Sequence, residues 1–200
     1  MLSFSWLLLL FTLGAYLIGS ISTAIIVSKL MGLPDPRKQG SQNPGATNVL
    51  RLGGKKAAAI TLLGDALKGF VPVVLATLYL QPDNEIAMVG MAAFLGHLFP
   101  VFFGFKGGKG VATAFGVLLG LSWIVGICVL ATWLAVAMLL KISSLAALVS
   151  ACMAPFYIWW WEDKPSWIAL GILLSIFLIA RHHSNIRNLL NGKEDKIQKR

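Results

Sequence analysis

The chain opens with a long run that has no charged side chain, because the first charged residue is Lys29. A membrane-spanning helix needs about 20 predominantly apolar residues. The run has no basic segment before it and is longer than the apolar core of a secretory signal. Residues 3–28 therefore predict a retained first membrane span.

Composition extends this prediction to the whole chain. The sequence is 57% hydrophobic and 12% charged, whereas a soluble domain is about 45–50% apolar and about 25% charged. The net charge of +9 would suggest nucleic acid in a soluble protein, but in a membrane protein it records topology and contact with anionic lipid head groups. We therefore expect membrane lipids as partners and no nucleic acid.

The basic residues predict which connections face the cytoplasm. Fifteen of the 17 Lys and Arg residues lie in the connections 29–56, 104–110 and 141 and in the tail, and the positive-inside rule places these segments in the cytoplasm. The apolar stretches long enough to be membrane segments are residues 3–28, 57–80, 86–103, 111–140, 142–161 and 166–180.

One of these apolar stretches must contain two membrane segments. Residues 111–140 begin and end on the basic side, so they either cross twice or form a re-entrant hairpin, with a break at Gly120-Leu121-Ser122. We therefore predict an all-α integral membrane protein of seven transmembrane or half-membrane helices, N-out and C-in. Residues 1–200 form a single polytopic domain in this prediction.

The first cytoplasmic segment with an unusual composition is 40–51, Gly-Ser-Gln-Asn-Pro-Gly-Ala-Thr-Asn-Val-Leu-Arg. Its glycines let backbone N–H groups turn toward one point, and its short polar side chains add hydrogen-bond donors. Arg51 adds a planar fork suited to a phosphate or a carboxylate. The alternative is a flexible polar connection between two spans.

The second segment runs from Gly96-His97 to Thr113 and contains Phe-Lys-Gly-Gly-Lys-Gly at 105–110. Glycines and lysines before a helix predict an anion site, because exposed N–H groups, the positive helix end and ammonium groups reinforce each other. The spacing is not that of a nucleotide-binding P-loop, since Gly110 stands where Ser or Thr would hold magnesium. The alternative is a tight turn with topological lysines. His97 has a structural and a catalytic interpretation of equal weight.

The third group is split between Ser143-Ser144, which begin one helix, and Arg181-His182-His183-Ser184-Asn185, which end the last span. A helix cap and a basic stop of the span account for these residues equally well. Their predicted place on the same membrane face as the other two segments favours a shared site.

Two ionisable residues, Asp65 and Lys68, lie inside a predicted span at a spacing that puts them on one helix face. Charges at that depth are costly unless they are paired or line a polar cavity. A structural pair that supports the site is favoured over direct contact with substrate.

Other functional classes agree less well with the sequence. Cys128 and Cys152 form no CxxC or metal-ligand pattern, so zinc and redox chemistry have no support, and we expect no metal and no cofactor. A CDP-alcohol phosphotransferase is disfavoured because it would need clustered aspartates to bind metal ions, and this sequence lacks them. A small transporter or anion channel is the competing class, although the polar residues gather at one membrane face rather than along the spans.

The three segments together resemble the bacterial acyl-phosphate:glycerol-3-phosphate acyltransferases of the PlsY type. The resemblance rests on Ser41-Gln42-Asn43-Pro44-Gly45-Ala46-Thr47-Asn48 with Arg51, on the stretch from His97 to Thr113, and on Arg181-His182 with Asn185-Ile186. It implies transfer of an acyl chain from acyl phosphate to the 1-hydroxyl of sn-glycerol 3-phosphate. The products would be lysophosphatidate and phosphate, in the first committed step of bacterial phospholipid synthesis.

The resemblance also implies seven helices in the bacterial inner membrane, with the active site facing the cytoplasm. Its implied partners are the two substrates and, as a candidate, the enzyme that makes acyl phosphate. It assigns glycerol 3-phosphate to Arg51, Lys109, Ser144, His182 and Asn185. Ser41, Asn43, Thr47 and Asn48 would face the acyl donor or brace their loop.

The implied chemistry leaves one role open. Backbone N–H groups of Gly107, Gly108 and Gly110 are suited to hold a phosphate. Because acyl phosphate already has a good leaving group, a covalent acyl-enzyme is unnecessary. The group that accepts the hydroxyl proton is His97, His182 or a phosphate oxygen of a substrate.

Overall fold

The computed structural model of the protein describes residues 6–80 and 82–197, and within these ranges every regular element is a helix. The predicted all-α class is confirmed. The chain divides into two compact units, one ending at Leu121 and the other beginning at Ser122. The single domain over 1–200 stays a prediction.

Over residues 6–80 and 82–121, the first unit contains five α-helices and a short 3-10 turn. The helices are α1 Trp6–Gly19, α2 Thr23–Leu30, α3 Ala46–Tyr79, α4 Asp83–Leu98 and α5 Val111–Leu121, and the 3-10 turn is Val101–Phe103. Helix α3 packs against α5, and α1 packs against α4. A Cβ on Gly69 of α3 would overlap Thr113 O, and a Cβ on Gly116 of α5 would overlap Ala66 O. Small residues therefore let these two backbones approach closely, as is usual between membrane helices.

The second unit contains α6 Trp123–Leu140, α7 Ser143–Trp161, α8 Pro165–Arg181 and α9 His183–Leu190. Side-chain hydrogen bonds join its neighbouring helices. Thr132 Oγ1 lies 2.7 Å from the Tyr157 hydroxyl, between α6 and α7. Ser175 Oγ donates to Ala151 O at 2.5 Å, between α8 and α7. In an apolar environment such bonds satisfy polar groups that water cannot reach.

Among the residues that the structure describes, four helical segments are long and apolar enough to cross a bilayer: Ala46–Tyr79, Asp83–Phe103, Trp123–Leu140 and Ser143–Trp161. Two bent pairs, α1 with α2 and α8 with α9, raise the number to six if each is one span, and α5 is a shorter apolar helix. An integral membrane helical protein is thus confirmed. The N-out orientation, and whether 111–140 crosses twice, stay predictions.

The predicted helix limits hold at one break and differ from the structure at two other points. The break at 120–122 is confirmed, since α5 ends at Leu121 and α6 begins at Trp123. The first apolar stretch is interrupted, because the helix stops at Gly19 and resumes at Thr23 with a bend of 41°. That α1 and α2 form one span stays a prediction. Lys68 Nζ donates to Ile21 O at 2.8 Å, which satisfies a carbonyl freed by this break.

The second predicted span also begins too late. We placed its start at 57, but α3 begins at Ala46, so part of the Gly/Ser/Asn-rich segment is helical. The prediction followed hydropathy, which cannot register the polar turns that extend a helix beyond an apolar core. Helix α3 is kinked at Gly54, whose φ is 78°.

Candidate active site

Asn48, in the first turns of α3, fixes the loop before it. Its side chain is 1% exposed. The Oδ1 atom accepts from Ser41 N at 3.0 Å, and Nδ2 donates to Pro36 O at 2.9 Å and Gln39 O at 3.0 Å. Both amide N–H groups are used in this way. Of the two roles predicted for Asn48, the contacts favour bracing the loop.

The other polar residues of this segment are more open. Ser41 and Thr47 are exposed and Asn43 is half-buried. Arg51 is exposed on the helical stretch before the kink, rather than on a loop. Because Asn48 anchors the backbone beneath them, these side chains project from a fixed surface, and their predicted contacts with substrate stay predictions.

The glycine-rich loop 104–110 lies flat on the end of α4. Gly107 and Gly108 are buried, and a Cβ on Gly107 would overlap the carbonyl oxygens of His97 and Leu98. A Cβ on Gly108 would overlap His97 Nε2 and lie 3.0 Å from Pro44 O. Gly110 has a φ of 88°, and a Cβ on it would overlap the Phe94 ring. Only residues without a side chain let the loop lie this close.

The two lysines of this loop differ in their surroundings. Lys109 is half-buried between Gly108 and Gly110, directly before α5 begins at Val111. Lys106 is exposed. The predicted start of the helix is confirmed, so the positive end of α5 and the ammonium group of Lys109 are neighbours in the chain. This contrast favours Lys109 over Lys106 as the anion-binding lysine.

A buried ionic group lies beneath the loop. Lys68 Nζ is 2.8 Å from Asp65 Oδ1, with side chains 5% and 4% exposed, and His97 Nδ1 is 3.7 Å from the same oxygen. Thr113 Oγ1 donates to Asp65 O at 2.9 Å. The structural pair predicted for Asp65 and Lys68 agrees with these contacts. Sequence reasoning missed His97 as the third member, since it comes from another helix and no local pattern links the two.

His97 therefore lies between a carboxylate and the loop. Its Nδ1 faces Asp65, and its Nε2 lies against Gly108. Both ring nitrogens face protein groups, and the residue is 6% exposed. This arrangement suits a residue that positions the glycine-rich loop.

The second unit gathers Ser144, His182 and Asn185, each at or near a helix terminus. Ser144 lies in the first turn of α7, and His182 and Asn185 lie at the junction of α8 and α9. His182 is 3% exposed, and its Nδ1 is 2.8 Å from Leu178 O. A carbonyl only accepts, so Nδ1 carries the proton, and in the neutral ring the lone pair is on Nε2.

Ser144 and Asn185 share a partner that the sequence did not reveal. Ser144 Oγ donates to Glu194 Oε1 at 2.6 Å, and Asn185 Nδ2 donates to the same oxygen at 2.5 Å. The tail had been interpreted only as a basic cytoplasmic segment. The two acids among its lysines, Glu194 and Asp195, were the indication available in the sequence. Within 6–80 and 82–197, no three His, Cys, Asp or Glu side chains are grouped so that they could hold a metal ion.

The chain is similar to known proteins along most of its length. The family model described as glycerol-3-phosphate acyltransferase matches residues 9–192. A protein named glycerol-3-phosphate acyltransferase from Methylococcus capsulatus is 54% identical over 192 residues, covering 96% of both chains. One of the same name from Thioalkalivibrio sulfidiphilus is 60% identical over 186 residues, covering 92% of this chain and 91% of its own.

Two solved structures have a similar fold. A crystal structure of PlsY, an integral membrane glycerol 3-phosphate acyltransferase, in its glycerol 3-phosphate form is 37% identical and superposes with a TM-score of 0.92 over 96% of each chain. The lysophosphatidic acid form is 36% identical, with a TM-score of 0.87 over 94% of each chain.

Proposed function

The chain belongs to the glycerol-3-phosphate acyltransferase family, and we propose that its acyl donor is an acyl phosphate. The fatty acyl group moves to the 1-hydroxyl of sn-glycerol 3-phosphate, and the products are lysophosphatidate and inorganic phosphate. In this proposal the enzyme catalyses the first step of bacterial phospholipid synthesis.

The observation that carries the proposal is the position of Lys109. This half-buried residue belongs to a loop whose backbone lies against α4 and leads directly into α5. Two phosphate-bearing substrates repel each other when they meet, and a fixed cation beside a helix N-terminus offsets that repulsion. A charge held in place before the substrates arrive needs no reorganisation during the reaction.

The acyl phosphate accounts for the chemistry without a nucleophilic side chain. The 1-hydroxyl oxygen of glycerol 3-phosphate attacks the acyl carbon and forms the ester bond. The bond between that carbon and the bridging phosphate oxygen breaks, and phosphate leaves with the electron pair. Because the anhydride is already activated, the protein supplies positioning and charge stabilisation.

We assign glycerol 3-phosphate to five residues that the resemblance indicates: Arg51, Lys109, Ser144, His182 and Asn185. The acyl donor is assigned to the side chains of Ser41, Asn43 and Thr47. Gly107, Gly108 and Gly110 contribute backbone N–H groups to a phosphate.

The proton of the attacking hydroxyl needs an acceptor. His182 and His97 are both candidates. The Nδ1 atom of His182 donates to Leu178 O, and His97 has Asp65 beside Nδ1 and Gly108 beside Nε2. A phosphate oxygen of a substrate is the third acceptor, and it requires no side chain at all.

The proposed location is the bacterial inner membrane, with the site facing the cytoplasm. Glycerol 3-phosphate then enters from water, while the acyl chain of the donor stays in the bilayer. The enzyme that makes acyl phosphate is a proposed partner, since a donor with a long acyl chain is best passed on without leaving the membrane.

The test is a product assay with purified protein in detergent, glycerol 3-phosphate and palmitoyl phosphate. We expect lysophosphatidate and inorganic phosphate in a ratio of one to one, at a rate that excess EDTA leaves nearly unchanged. Product from palmitoyl-CoA but not from palmitoyl phosphate would overturn the proposed donor. Loss of the rate in EDTA, restored by magnesium, would overturn the metal-free chemistry.

A further inference from the structure

One buried residue of α3, Asp65, is connected to the chain on both sides of Lys109. Before Lys109, Asp65 Oδ1 is 3.7 Å from Nδ1 of His97, and Nε2 of that ring lies against Gly108, where a Cβ would overlap it. After Lys109, Thr113 Oγ1 donates to the backbone O atom of Asp65 at 2.9 Å. Thr113 lies in the first turn of α5. Lys109 therefore stands between two supports that rest on the same residue.

The carboxylate of Asp65 is itself fixed in place. Lys68 Nζ lies 2.8 Å from Asp65 Oδ1 and also donates to Ile21 O at 2.8 Å, between α1 and α2. Both charged side chains are buried, and a buried charge that loses its partner is strongly unfavourable. Asp65 therefore gives its neighbours a rigid point of reference.

The start of α5 is held against α3 at two consecutive turns. Gly69 follows Asp65 by one helical turn, and a Cβ on Gly69 would overlap Thr113 O. A threonine inside a helix often donates to a carbonyl of its own preceding turn, but the Thr113 hydroxyl joins two helices instead. These contacts fix where α5 begins relative to α3, and Lys109 lies just before that beginning.

We propose that Asp65 is a positioning residue for Lys109 in acyl transfer. It acts through His97 and Thr113 and does not touch the substrate. This role rests on the proposed function, in which Lys109 stabilises phosphate. A charge stabilises a transition state best when it is held in position beforehand, and a displacement of about 1 Å in a reacting complex lowers the rate about 100-fold.

The alternative is that Asp65 only stabilises the fold. Its replacement would then lower the fraction of folded enzyme, while each folded molecule keeps its kinetic constants. If Asp65 acts through Lys109, the folded enzyme itself loses kcat/KM, and that loss disappears once Lys109 is removed. A double-mutant cycle separates the two roles, because residues that act through one another are not additive.

The experiment compares Asp65→Asn, Lys109→Ala and the double variant in the full-length enzyme. Asparagine keeps the size of the side chain and removes its charge. The kcat/KM for glycerol 3-phosphate is measured with palmitoyl phosphate and normalised to the folded, monodisperse fraction. Glu85→Gln is the matched control, since it removes a carboxylate from the first turn of α4, at the opposite end of that helix from His97.

We expect Asp65→Asn to lower the kcat/KM of the folded enzyme about tenfold or more. In the Lys109→Ala background the same substitution should change it by less than about twofold, and Glu85→Gln should leave it unchanged. Equal fold-losses in the two backgrounds, or an unchanged kcat/KM in Asp65→Asn, would overturn the proposal.

Thr113→Val tests the second support and keeps the buried charges, so it decides the matter if Asp65→Asn does not fold. Loss of one hydrogen bond should lower kcat/KM about two- to tenfold, again only while Lys109 is present. Thr113→Ser keeps the donor and should retain most of the rate. A loss in Thr113→Val that is as large without Lys109 would contradict the positioning role.

Hydrogen–deuterium exchange of the backbone amides of 104–110 adds a readout that needs no substrate. We expect faster exchange in Asp65→Asn and Thr113→Val and unchanged exchange in Glu85→Gln. A wild-type enzyme that gives no product would overturn the proposed function. Unchanged exchange in both variants would overturn the positioning role, so the two failures are distinguishable.

Discussion

The glycine-rich loop of the first unit and the serine–asparagine cluster of the second are built in different ways. In the loop, Gly107 and Gly108 press the backbone against α4, above a buried ionic group. In the cluster, the side chains of Ser144 and Asn185 bind a carboxylate from the tail. A site of the first kind is fixed by packing, so its backbone cannot move without losing contacts with α4. A site of the second kind is held by hydrogen bonds between side chains.

This difference predicts where substitutions are most harmful. Beneath the loop, they leave charges or overlaps that the surrounding helices cannot relieve. In the serine–asparagine cluster, they remove hydrogen bonds between side chains, and the helices themselves keep their packing. The predictions below test the loop side of this contrast, beginning with the largest effect.

Asp65→Ala should give the largest loss of stability. The substitution leaves Lys68 buried at 5% exposure without its carboxylate, and breaking a buried pair in this way costs about 3–5 kcal/mol. The measurement is thermal unfolding of the detergent-solubilised protein. If Asp65→Ala melts with the wild-type protein, the buried group does not support the loop.

Asp35→Ala is the matched control, because Arg37 is also 2.8 Å from its carboxylate. The Arg37 side-chain hydrogen bond holds the pKa of Asp35 below its ordinary value, so this pair too is ionised at neutral pH. Its side chains are 32% and 27% exposed, and a solvated pair contributes about 0.2–1 kcal/mol. We expect a much smaller shift than for Asp65→Ala.

Gly108→Ala should lower kcat/KM because the new Cβ overlaps His97 Nε2. Overpacking of this kind costs about 1–3 kcal/mol of folding stability when the loop stays in place. If the loop shifts instead, each 1.36 kcal/mol of transition-state stabilisation that is lost lowers the rate tenfold. Gly14→Ala is the control, since nothing lies within 4 Å of its Cβ position. Equal kinetics for the two variants would show that the loop is not held as closely as described.

Some features of this contrast could be predicted from the sequence alone, and others could not. The glycine-rich loop, Lys109 and the break at 120–122 followed from local composition, because glycines, lysines and polar interruptions are visible in a short window. The partners of Asp65 and Ser144 did not, since His97 and Glu194 lie on other segments of the chain. Only the folded backbone shows which segments meet.

The break after Gly19 was missed for a related reason. No charge or proline interrupts the first apolar run, so hydropathy gives one continuous span. At the break, Lys68 of α3 donates to the Ile21 carbonyl, and this contact with a distant segment has no hydropathy signal. The start of α3 at Ala46 was missed because polar helical turns have no hydropathy signal.

Replacing both cysteines by alanine should change activity by no more than about twofold, as for substitutions away from packed features. Cys128 is partly buried on α6 and Cys152 is exposed on α7, and both are free thiols. The measurement is the product assay of the variant, with mass spectrometry of the wild-type enzyme after acyl phosphate is added. An acyl adduct on Ser41, Ser144 or either cysteine would contradict direct attack.

The same cysteine-free protein allows a test of topology in which no labelling of intact cells is expected. Single cysteines at Gln42 in the first unit and Lys196 in the second should both resist a membrane-impermeant thiol reagent in intact cells, because both segments are predicted to be cytoplasmic. Labelling after lysis is the control for accessibility. Reaction at either position before lysis would contradict the predicted orientation.

The central claim is that a lysine fixed by a glycine-rich loop, rather than positive charge in general, stabilises the substrate phosphate. Steady-state kinetics of Lys109→Ala and Lys106→Ala, with glycerol 3-phosphate varied, test it most directly. A charge-assisted contact contributes about 1.5–3 kcal/mol, so Lys109→Ala should lower kcat/KM at least about tenfold. Lys106→Ala should do less, and Lys109→Arg should rescue poorly because its planar fork differs in shape. Equal losses in the two alanine variants would contradict the account.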